Sequence, residues 1–477
     1  MAKKTFVLYP SLGVGHLIPM VELAKRLIRH GLGVVIAVVD PPDADAVSTA
    51  AVARLAADNP AVAFRRLLPA APASPDAAAA AQHPVKRSLD TLRLANPALR
   101  ELLRSLQPAA DALLLDMFCV DALDVAAELG VPAYFFFASA AGALAVLLNL
   151  PYLYPTLPSS FREMGKELVH CPGMPSIRAM DMPLMVQDKD SDPTKVRLHQ
   201  FRRIPEAAGV LVNSFDWLEP RALRALADGV CVPGRPTPRV YCIGPMVDDG
   251  KNKLRGDSSS GERRHECMAW LDAQPARSVV FLCFGSMGAF SAAQLQEIAR
   301  GLESSGHRFL WAVRGTPEEH NLERLLPAGF LERTRGRGMV VKDWVPQAEV
   351  VQHEAVGAFV THCGWNSTLE AVMSGLPMVC WPLYAEQRLN KVFMVEEMKI
   401  GVEMIGYEEF VKAEEVEKKV RLVMETQEGK MLREKLVVAR EKALEAIKEG
   451  GSSQVAFAEF MKDLEKKQSS SENGECK

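Results

Sequence analysis

A chain of 477 residues is longer than one ordinary hydrophobic core supports, so two domains are expected. The formal net charge of −3, with both signs mixed along the chain, argues against a nucleic-acid or membrane-surface partner. The nine cysteines are scattered without any C-x-x-C pair, which argues against a zinc site or a disulfide framework and for reduced thiols in the cytoplasm.

The N-terminal half alternates short apolar runs with segments of helical periodicity. Continuous apolar runs are typical of strands buried on both faces. The first predicted helix covers 17–30, and Gly31 after it is the stop signal. The alternation predicts a parallel sheet wrapped by helices. The predicted strands lie at 6–10, 34–39, 113–115, 133–137, 210–213 and 240–244.

One uncharged stretch, 129–161, is long enough to span a bilayer. Pro132, Gly142 and the prolines of its second half interrupt it. We therefore interpret it as a buried strand at 133–137 followed by a buried helix at 139–150, and a membrane span is the weaker alternative.

A polar segment at 247–262 reads as a linker, because it can bury little apolar surface. After it the alternation restarts, with strands predicted at 278–284, 309–313, 358–361 and 377–381 and a helix at 292–303. Surface helices are expected from 411 to 467. The predicted domains are 1–246 and 263–450, followed by a C-terminal helix at 451–468 that packs back toward the N-terminal domain and a disordered tail at 469–477.

The densest cluster of polar and aromatic residues begins at Trp344 and ends at Gln387. Within it a predicted strand ends at Thr361, and after a short turn a helix begins near Asn366. Backbone N–H groups and the positive dipole end at such a helix start suit a diphosphate. Glu370, one turn deeper, is placed to accept two hydroxyl hydrogen bonds from a ribose, and Trp344 offers a flat face for a base.

Each of these residues also has a purely structural interpretation. The pattern Ser367-Thr-Leu-Glu370 fits a capping box, in which Glu370 only holds the helix start. His362 alone fits a core histidine. Ordinary core aromatics are the alternative for Trp344, Trp365 and Trp381.

Taken together, Trp-x-Pro-Gln, His-Cys-Gly-Trp-Asn-Ser-x-x-Glu and the closing Glu-Gln resemble a known motif. It is the complete donor-binding box of plant UDP-dependent glycosyltransferases, the family 1 enzymes of small-molecule metabolism. The similarity extends from Gly13-x-Gly15-His16 to the C-terminal helices. It implies the GT-B fold, with two Rossmann-like, doubly wound α/β domains that face each other across a cleft.

The resemblance implies a role for each part of the box. The tryptophan that opens it stacks on uracil, with Gln347 and the backbone of Ala348 near the edge of the base. Glu370 binds the ribose hydroxyls. His362, Asn366 and Ser367, together with Ser286, hold the phosphates. Glu386 and Gln387 contact the sugar together with Trp365. The donor-binding residues implied in this way are Ser286, Trp344, Gln347, Ala348, His362, Trp365, Asn366, Ser367, Glu370, Tyr384, Glu386 and Gln387.

The last residue of the box bears on the sugar. In this family a closing glutamine goes with glucose and a closing histidine with galactose. Gln387 therefore implies UDP-glucose as the donor, and other UDP-sugars stay open.

A second motif, Gly13-Val14-Gly15-His16, follows the first predicted strand. A glycine turn at this place usually predicts a nucleotide phosphate site, but the third glycine of G-x-G-x-x-G would fall at Ile18. His16 stands instead at the helix start, where the dipole disfavours the charged imidazole and leaves it able to accept a proton. We predict that His16 is the general base; the alternative is a helix-start histidine without a role.

Asp116 is the predicted orienting carboxylate. It follows the apolar run 112–115, at the ligand side of the same sheet. The resemblance selects it over Asp121 and Asp124, which fall at helix positions. In such a pair the aspartate holds the histidine tautomer and stabilises the imidazolium. A capping aspartate is the alternative.

The expected reaction is inverting transfer of glucose from UDP-glucose to a hydroxyl, giving a β-glucoside. The pattern Asp43-Ala-Asp45 lies in a Pro/Ala-rich loop and not in a plausible site, so neither a metal nor a further cofactor is expected. The protein is expected to be a monomer. A UDP-sugar-binding protein with little transfer activity is the second hypothesis. A dehydrogenase is the third, and the missing glycine at Ile18 argues against it.

The acceptor pocket is expected in the N-terminal domain, at 69–81, 118–119, 139–150 and 151–194. Gly15, Phe118 and Ser139 are the predicted acceptor-binding residues. The pair Ala138-Ser139 stands where many relatives have a threonine that helps hold the sugar. Whether Ser139 is aligned with that threonine is left open. Methionines at 174–185 suggest an adaptable apolar pocket or plain packing. The resemblance implies a flavonoid or other phenol, with terpenoids, hormones and carbon or carboxylate acceptors as alternatives.

Overall fold

A computed structural model describes residues 4–41, 46–70, 84–247, 265–285, 287–315, 321–342 and 344–474. The chain forms two compact units. The first contains Met1–Met180, Met185–Met246 and Ala446–Lys477, and the second contains Asp181–Leu184 and Val247–Glu445. The predicted domain end at 246 coincides with the end of the main part of the first unit.

The strands of the first unit are β1 (Thr5–Tyr9), β2 (Gly33–Val39), β3 (Ala63–Leu67), β4 (Ala112–Asp116), β5 (Ala133–Phe137), β6 (Leu168–Val169), β7 (Ile177–Arg178), β8 (Val210–Val212) and β9 (Val240–Cys242). Seven of them form one sheet in the order β3-β2-β1-β4-β5-β8-β9, in which all strand pairs are parallel. The other two, β6 and β7, form a short antiparallel pair.

Helices connect these strands, as parallel pairing requires. The longest of them carry apolar residues at helical spacing and bury that face against the sheet. The α-helices of the first unit are Val14–Arg29, Ala46–Asp58, Pro84–Ser105, Ala122–Glu128, Ala141–Leu153, Phe161–Met164, Asp192–Arg203, Pro220–Ala227 and Ser452–Gly474.

The helix Ser452–Gly474 completes the core of the first unit. Phe460 is fully buried, and its ring lies 5.0 Å from that of Tyr134 and 5.6 Å from that of Tyr241. The buried Arg26 guanidinium donates hydrogen bonds to the carbonyls of Ile243 and Ser453, the latter at 2.9 Å. Burial lowers the pKa of Arg26 to about 10, which still leaves it charged at neutral pH.

The strands of the second unit are β10 (Val279–Cys283), β11 (Arg308–Val313), β12 (Gly338–Lys342), β13 (Val356–Thr361), β14 (Met378–Cys380) and β15 (Gly401–Glu403). They form one parallel sheet in the order β12-β11-β10-β13-β14-β15. The short segment Asp181–Leu184 belongs to this unit, where Lys391 Nζ lies 2.9 Å from Asp181 Oδ2.

The second unit has the same layered construction. Its core joins the sheet to the helices Ala292–Ser305 and Ala413–Glu425. The α-helices are Glu266–Asp272, Ala292–Ser305, Leu322–Leu325, Phe330–Arg333, Gln347–Gln352, Trp365–Ser374, Gln387–Val392, Ala413–Glu425 and Gln427–Ile447, the last of which ends in the first unit.

Both sheets reverse their strand order at one place. In the first unit the reversal lies between β1 and β4, and in the second between β10 and β13. In doubly wound sheets, ligands bind beyond the carboxyl ends of the strands at such a switch point. The topology therefore indicates a site after β1 and β4 in one unit and after β10 and β13 in the other.

The predicted α/β architecture with two doubly wound sheets is confirmed. The strand at 133–137 is confirmed residue for residue, and the buried helix after it is Ala141–Leu153. None of the helices in the described residues has the length and apolar character that a membrane crossing needs. The patterns missed the edge strands β3, β12 and β15.

The C-terminal helix is longer than predicted. It continues to Gly474, so residues 469–474, which were expected in a disordered tail, are helical, and 475–477 lie outside the described residues. The predicted linker at 247–262 and the loop at 69–81 also lie largely outside the described residues.

Phe460→Ala is expected to lower the free energy of unfolding of the first unit by about 3–5 kcal/mol, because it leaves a cavity among fully buried rings. Val455→Ala on the same helix is the matched control, since Val455 is half exposed and its truncation should change stability by less than about 0.5 kcal/mol. Chemical denaturation followed by circular dichroism measures both. Equal effects would contradict the packing role of this helix.

Candidate active site

His16 lies in the first turn of the helix Val14–Arg29, directly after β1. Gly13 is the N-cap, and its φ of 90° is a conformation that glycine adopts without strain. The backbone N–H of His16 donates to the Gly13 carbonyl at 3.3 Å. Gly15 is exposed and its φ is not positive, and a Cβ there would lie more than 4 Å from the described residues outside its own turn. Neither backbone strain nor packing therefore requires glycine at this position.

The structure brings His16 and Asp116 together at the switch point of the first sheet. His16 Nδ1 lies 2.9 Å from Asp116 Oδ2, and the backbone N–H of Phe118 donates to Oδ1 at 3.0 Å. The Asp116 side chain is 5% exposed, whereas that of His16 is 37% exposed. Because an ionised carboxylate can only accept, Nδ1 carries the proton and Nε2 is the basic nitrogen of the neutral ring.

The two other aspartates near β4 lie elsewhere. Asp121 is the N-cap of the helix Ala122–Glu128, and Asp124 lies within it. Arg203 binds Asp124 at 2.6 Å and lies 3.6 Å from Asp121. The geometry therefore supports Asp116 as the partner of His16, as the sequence indicated.

Phe118 and Ser139 differ in how far they are exposed. The Phe118 ring is half-buried and lies 5.0 Å from the His16 ring in an edge arrangement. Ser139 is buried, just before the helix Ala141–Leu153. The methionines expected to line a pocket include Met174 and Met182, which are almost fully buried, so packing explains these two.

Glu219 is a residue that the patterns missed. Its buried carboxylate accepts hydrogen bonds from the N–H groups of Ala141 and Gly142, both at 2.8 Å, and from the Ser214 hydroxyl. It thereby caps the helix that follows Ser139, from far away in sequence. In the sequence, Glu219-Pro220 signals only the start of its own helix.

In the second unit, β13 ends at Thr361 and the helix Trp365–Ser374 begins after a short turn. Gly364 is the N-cap residue, and a glycine has no side chain that could cap the helix. Ser367 is therefore the third helical residue and not the cap, so the capping-box interpretation is wrong. In any α-helix, the N–H groups of the first turn have no acceptor within the helix itself.

His362 lies between two glycine turns. A Cβ on Gly285, after β10, would lie 2.6 Å from His362 Nε2, and a Cβ on Gly364 would lie 2.5 Å from it. A side chain at either position would therefore displace the His362 ring, and Gly285 also has a φ of 74° that favours glycine. Burial lowers the pKa of His362 to about 4, against a smaller opposing effect of the Cys283 backbone, so the ring is neutral at physiological pH. Its Nδ1 is buried and has no partner among the described residues.

Gln347, Ser367 and Glu370 form one hydrogen-bonded group. Gln347 Nε2 donates to Ser367 Oγ at 2.9 Å and to Glu370 Oε2 at 2.7 Å. Gln347 begins the helix Gln347–Gln352, so this group connects two helix starts. The carboxylate of Glu370 thus stands beside the polar residues expected at the nucleoside.

Trp344 and Trp365 have opposite environments. The Trp344 side chain is 66% exposed, with the His265 ring 5.8 Å away at its edge, so it offers an open face. Trp365 is 2% exposed and its ring packs against Phe393, so the ring is part of the core. Trp381 is buried in the core of the second unit, so the alternative of an ordinary core aromatic is confirmed for it. Ala348 follows Gln347 in its helix and is half-buried.

The closing residues of the box lie at the start of the helix Gln387–Val392. Gln387 Oε1 accepts hydrogen bonds from the N–H groups of Leu383 and Tyr384, both at 2.9 Å. This fixes the orientation of the carboxamide and assigns its NH₂ group as the donor. Glu386 is the N-cap residue and half-buried, and the Tyr384 ring lies 6.1 Å from the His362 ring.

Asn390 is a second missed residue. It is fully buried, and its Nδ2 donates to the Cys363 carbonyl at 3.0 Å. Cys363 has a φ of 66°, which is rare for a residue other than glycine. Asn390 therefore braces the turn at 362–364 from the helix that carries Gln387. In the sequence, its position three residues after Gln387 could have indicated that both side chains lie on the same face of that helix.

Two remaining predictions concern Asn366 and Ser286. Asn366 is the second residue of the helix Trp365–Ser374, and its Oδ1 is buried with no partner in the described residues. Ser286 lies outside the described residues, as do Asp43 and Asp45. The described residues contain no group of three or more His, Cys, Asp or Glu side chains that could hold a metal ion.

The chain is similar to a known protein family and to proteins of that family. A family model described as "UDP-glucoronosyl and UDP-glucosyl transferase" matches residues 256–438. The anthocyanidin 5,3-O-glucosyltransferase of a Rosa hybrid cultivar is 42% identical over 482 aligned residues, which cover 96% of this chain and 98% of that protein. The similarity therefore includes both units.

Solved structures give the same result. A Polygonum tinctorium UDP-glucosyltransferase capable of glucosylating indoxyl, in complex with 3,4-dichloroaniline, is 36% identical with a TM-score of 0.87 and covers 98% of this chain and 99% of its own. The Phytolacca americana UGT2, complexed with UDP-2fluoro-glucose and pterostilbene, is 34% identical with a TM-score of 0.85 and covers 97% of this chain and 100% of its own.

His362→Gln is expected to flatten the acid dependence of stability. Because the folded state keeps His362 neutral down to pH about 4 while the unfolded chain protonates near 6.5, stability is full above 6.5 and falls by up to about 3 kcal/mol as the pH drops through this window. The glutamine variant lacks this contribution. Urea unfolding of both proteins at about pH 7 and about pH 4.5 measures the difference. Parallel changes in the two proteins would contradict the burial of a neutral His362.

Proposed function

The chain belongs to the plant UDP-dependent glycosyltransferase family, and on that premise we propose that it transfers glucose from UDP-glucose to a hydroxyl of a phenolic acceptor, with inversion. It is a UDP-glycosyltransferase of the GT-B class. The single observation that carries the mechanism is the contact of 2.9 Å between His16 Nδ1 and Asp116 Oδ2.

The proposed reaction is one displacement. The acceptor hydroxyl loses its proton to His16 Nε2 as its oxygen attacks the anomeric carbon, and the bond from that carbon to the diphosphate oxygen breaks. UDP leaves with the electron pair of that bond. Asp116 holds the histidine tautomer and stabilises the imidazolium that forms. Attack from the face opposite the α-linked UDP gives a β-glucoside.

The proposed donor site uses neutral and anionic groups of the second unit. The helix Trp365–Ser374 begins after the N-cap Gly364, and the backbone N–H groups and positive dipole end of a helix start suit the diphosphate charge. Their fixed orientation favours the departing diphosphate without a metal ion or a further cofactor. Trp344 supplies the stacking face, Glu370 the ribose acceptor, and the Gln387 amide a donor to the sugar.

A phenol is the proposed acceptor class. The relatives named above are a glucosyltransferase of anthocyanidins, one that glucosylates indoxyl, and one complexed with pterostilbene. The half-buried Phe118 ring beside His16 offers an aromatic contact for such a ring. A phenolic hydroxyl is also more acidic than an alcohol, which suits a histidine base. We propose a cytoplasmic location, since the eight described cysteines are free thiols.

His16→Ala is expected to lower kcat for a phenolic acceptor by about 10²–10⁴-fold, because it removes the general base. The assay mixes protein, UDP-glucose and a panel of phenols in buffer containing EDTA, and it measures UDP release and a product heavier by one hexose. His30→Ala is the matched control: His30 is exposed at the other end of the same helix. No turnover by the wild-type protein on any acceptor would instead favour the UDP-sugar-binding hypothesis.

Gln387→His is expected to shift the donor preference from UDP-glucose toward UDP-galactose. The imidazole cannot accept from Leu383 and Tyr384 with the geometry of the carboxamide oxygen, so the loop before the helix and its contact to the sugar change together. The ratio of kcat/KM for the two donors measures the shift, and the affinity for UDP is the control. An unchanged ratio would mean that Gln387 does not determine which of the two sugars is preferred.

A further inference from the structure

The His16–Asp116 pair is connected to a third element of the first unit, the helix Asp192–Arg203. The turn after β4 carries Phe118, and both its backbone and its ring are held by this helix. Gln200 Nε2 donates to the Phe118 carbonyl at 3.2 Å. The Arg197 guanidinium lies over the Phe118 ring, with its Cζ 4.1 Å from the ring centroid.

These two side chains also hold each other. Arg197 Nη1 donates to Gln200 Oε1 at 2.8 Å, so the amide is oriented with its NH₂ group toward Phe118. Gln200 is 3% exposed and Arg197 is 9% exposed. Their spacing of three residues places them on one face of the helix. A buried arginine and a buried glutamine on one helix face are costly unless their hydrogen bonds are made.

Phe118 passes this restraint to the catalytic pair in two ways. Its N–H donates to Asp116 Oδ1 at 3.0 Å, while Asp116 Oδ2 meets His16 Nδ1. Its ring lies against the His16 ring, with the centroids 5.0 Å apart. The backbone position of Phe118, set at its carbonyl by Gln200, therefore fixes its N–H and with it the rotation of the Asp116 carboxylate, and its ring limits the rotation of His16.

We infer that Gln200, oriented by Arg197, is a positioning residue for the His16–Asp116 pair. The inference rests on the proposed function, since it assigns Gln200 to the step in which His16 removes the acceptor proton. Gln200 acts on the pair through Phe118 and Asp116 and not on the reacting proton itself. Its role is to keep the base aligned, and a small misalignment of such a group costs large factors in rate.

The test is Gln200→Glu, which keeps the size of the side chain and the acceptor for Arg197 but removes the donor to the Phe118 carbonyl. With a phenol, we expect kcat to fall by about 10- to 100-fold while the KM for UDP-glucose is unchanged. Lys195→Ala, on the exposed face of the same helix, is the control and should leave kcat unchanged. Gln200→Met, which carries no charge, is the second variant if the glutamate does not fold; thermal unfolding checks both.

A thiophenol acceptor separates positioning from general damage. It is already ionised in neutral solution and needs no base, so the loss caused by Gln200→Glu should largely disappear with it. In a background of Asp116→Asn, Gln200→Glu should cause little further loss, because both act on the same pair. Equal losses with phenol and thiophenol, or full additivity with Asp116→Asn, would overturn the inference.

The outcome is distinguishable from failure of the proposed function. If the proposed function fails, the wild-type protein shows no turnover or His16→Ala retains it. If only the present inference fails, wild type and His16→Ala behave as proposed, and Gln200→Glu either keeps the rate with phenol or loses it with both acceptors.

Discussion

The structure depends on one constraint, the burial of parallel strands on both faces. A strand such as β4, which is fully buried, has no room for a charged side chain along its length. Polar chemistry is therefore confined to the carboxyl ends of the strands, where the chain turns toward a helix. Asp116 is the last residue of β4, and His362 is the first residue after β13.

The same constraint explains why the two units use one topology for different chemistry. Each sheet reverses its strand order once, and each reversal opens a crevice between two strand ends. In the first unit a histidine stands in the turn after β1 and an aspartate at the end of β4, and we propose this pair as the base and its partner. In the second, glycines after β10 and β13 lie against a neutral histidine beside a helix start, an arrangement that suits an anion.

Buried polar side chains from distant parts of the chain hold these turns in place. Glu219 caps the helix after Ser139, Asn390 supports the carbonyl of a left-handed Cys363, and Gln200 holds the carbonyl of Phe118. Each satisfies a backbone group from a position at least 27 residues away in the sequence. Removing the partner of a buried polar group costs more than the bond itself contributes, which favours a single geometry.

The sequence by itself determined the α/β fold class with two sheets and the place of His16 at a helix start, because apolar runs and turn residues are local patterns along the chain. The choice of Asp116 as its partner and the roles expected within 344–387 came from the resemblance of these motifs to a known family, and not from the local patterns alone. Only the tertiary structure decided that Trp365 is a core residue and that Gln200 supports the pair from another helix. The physical reason is that burial and long-range hydrogen bonds depend on which elements pack together, and this information is not local in the sequence.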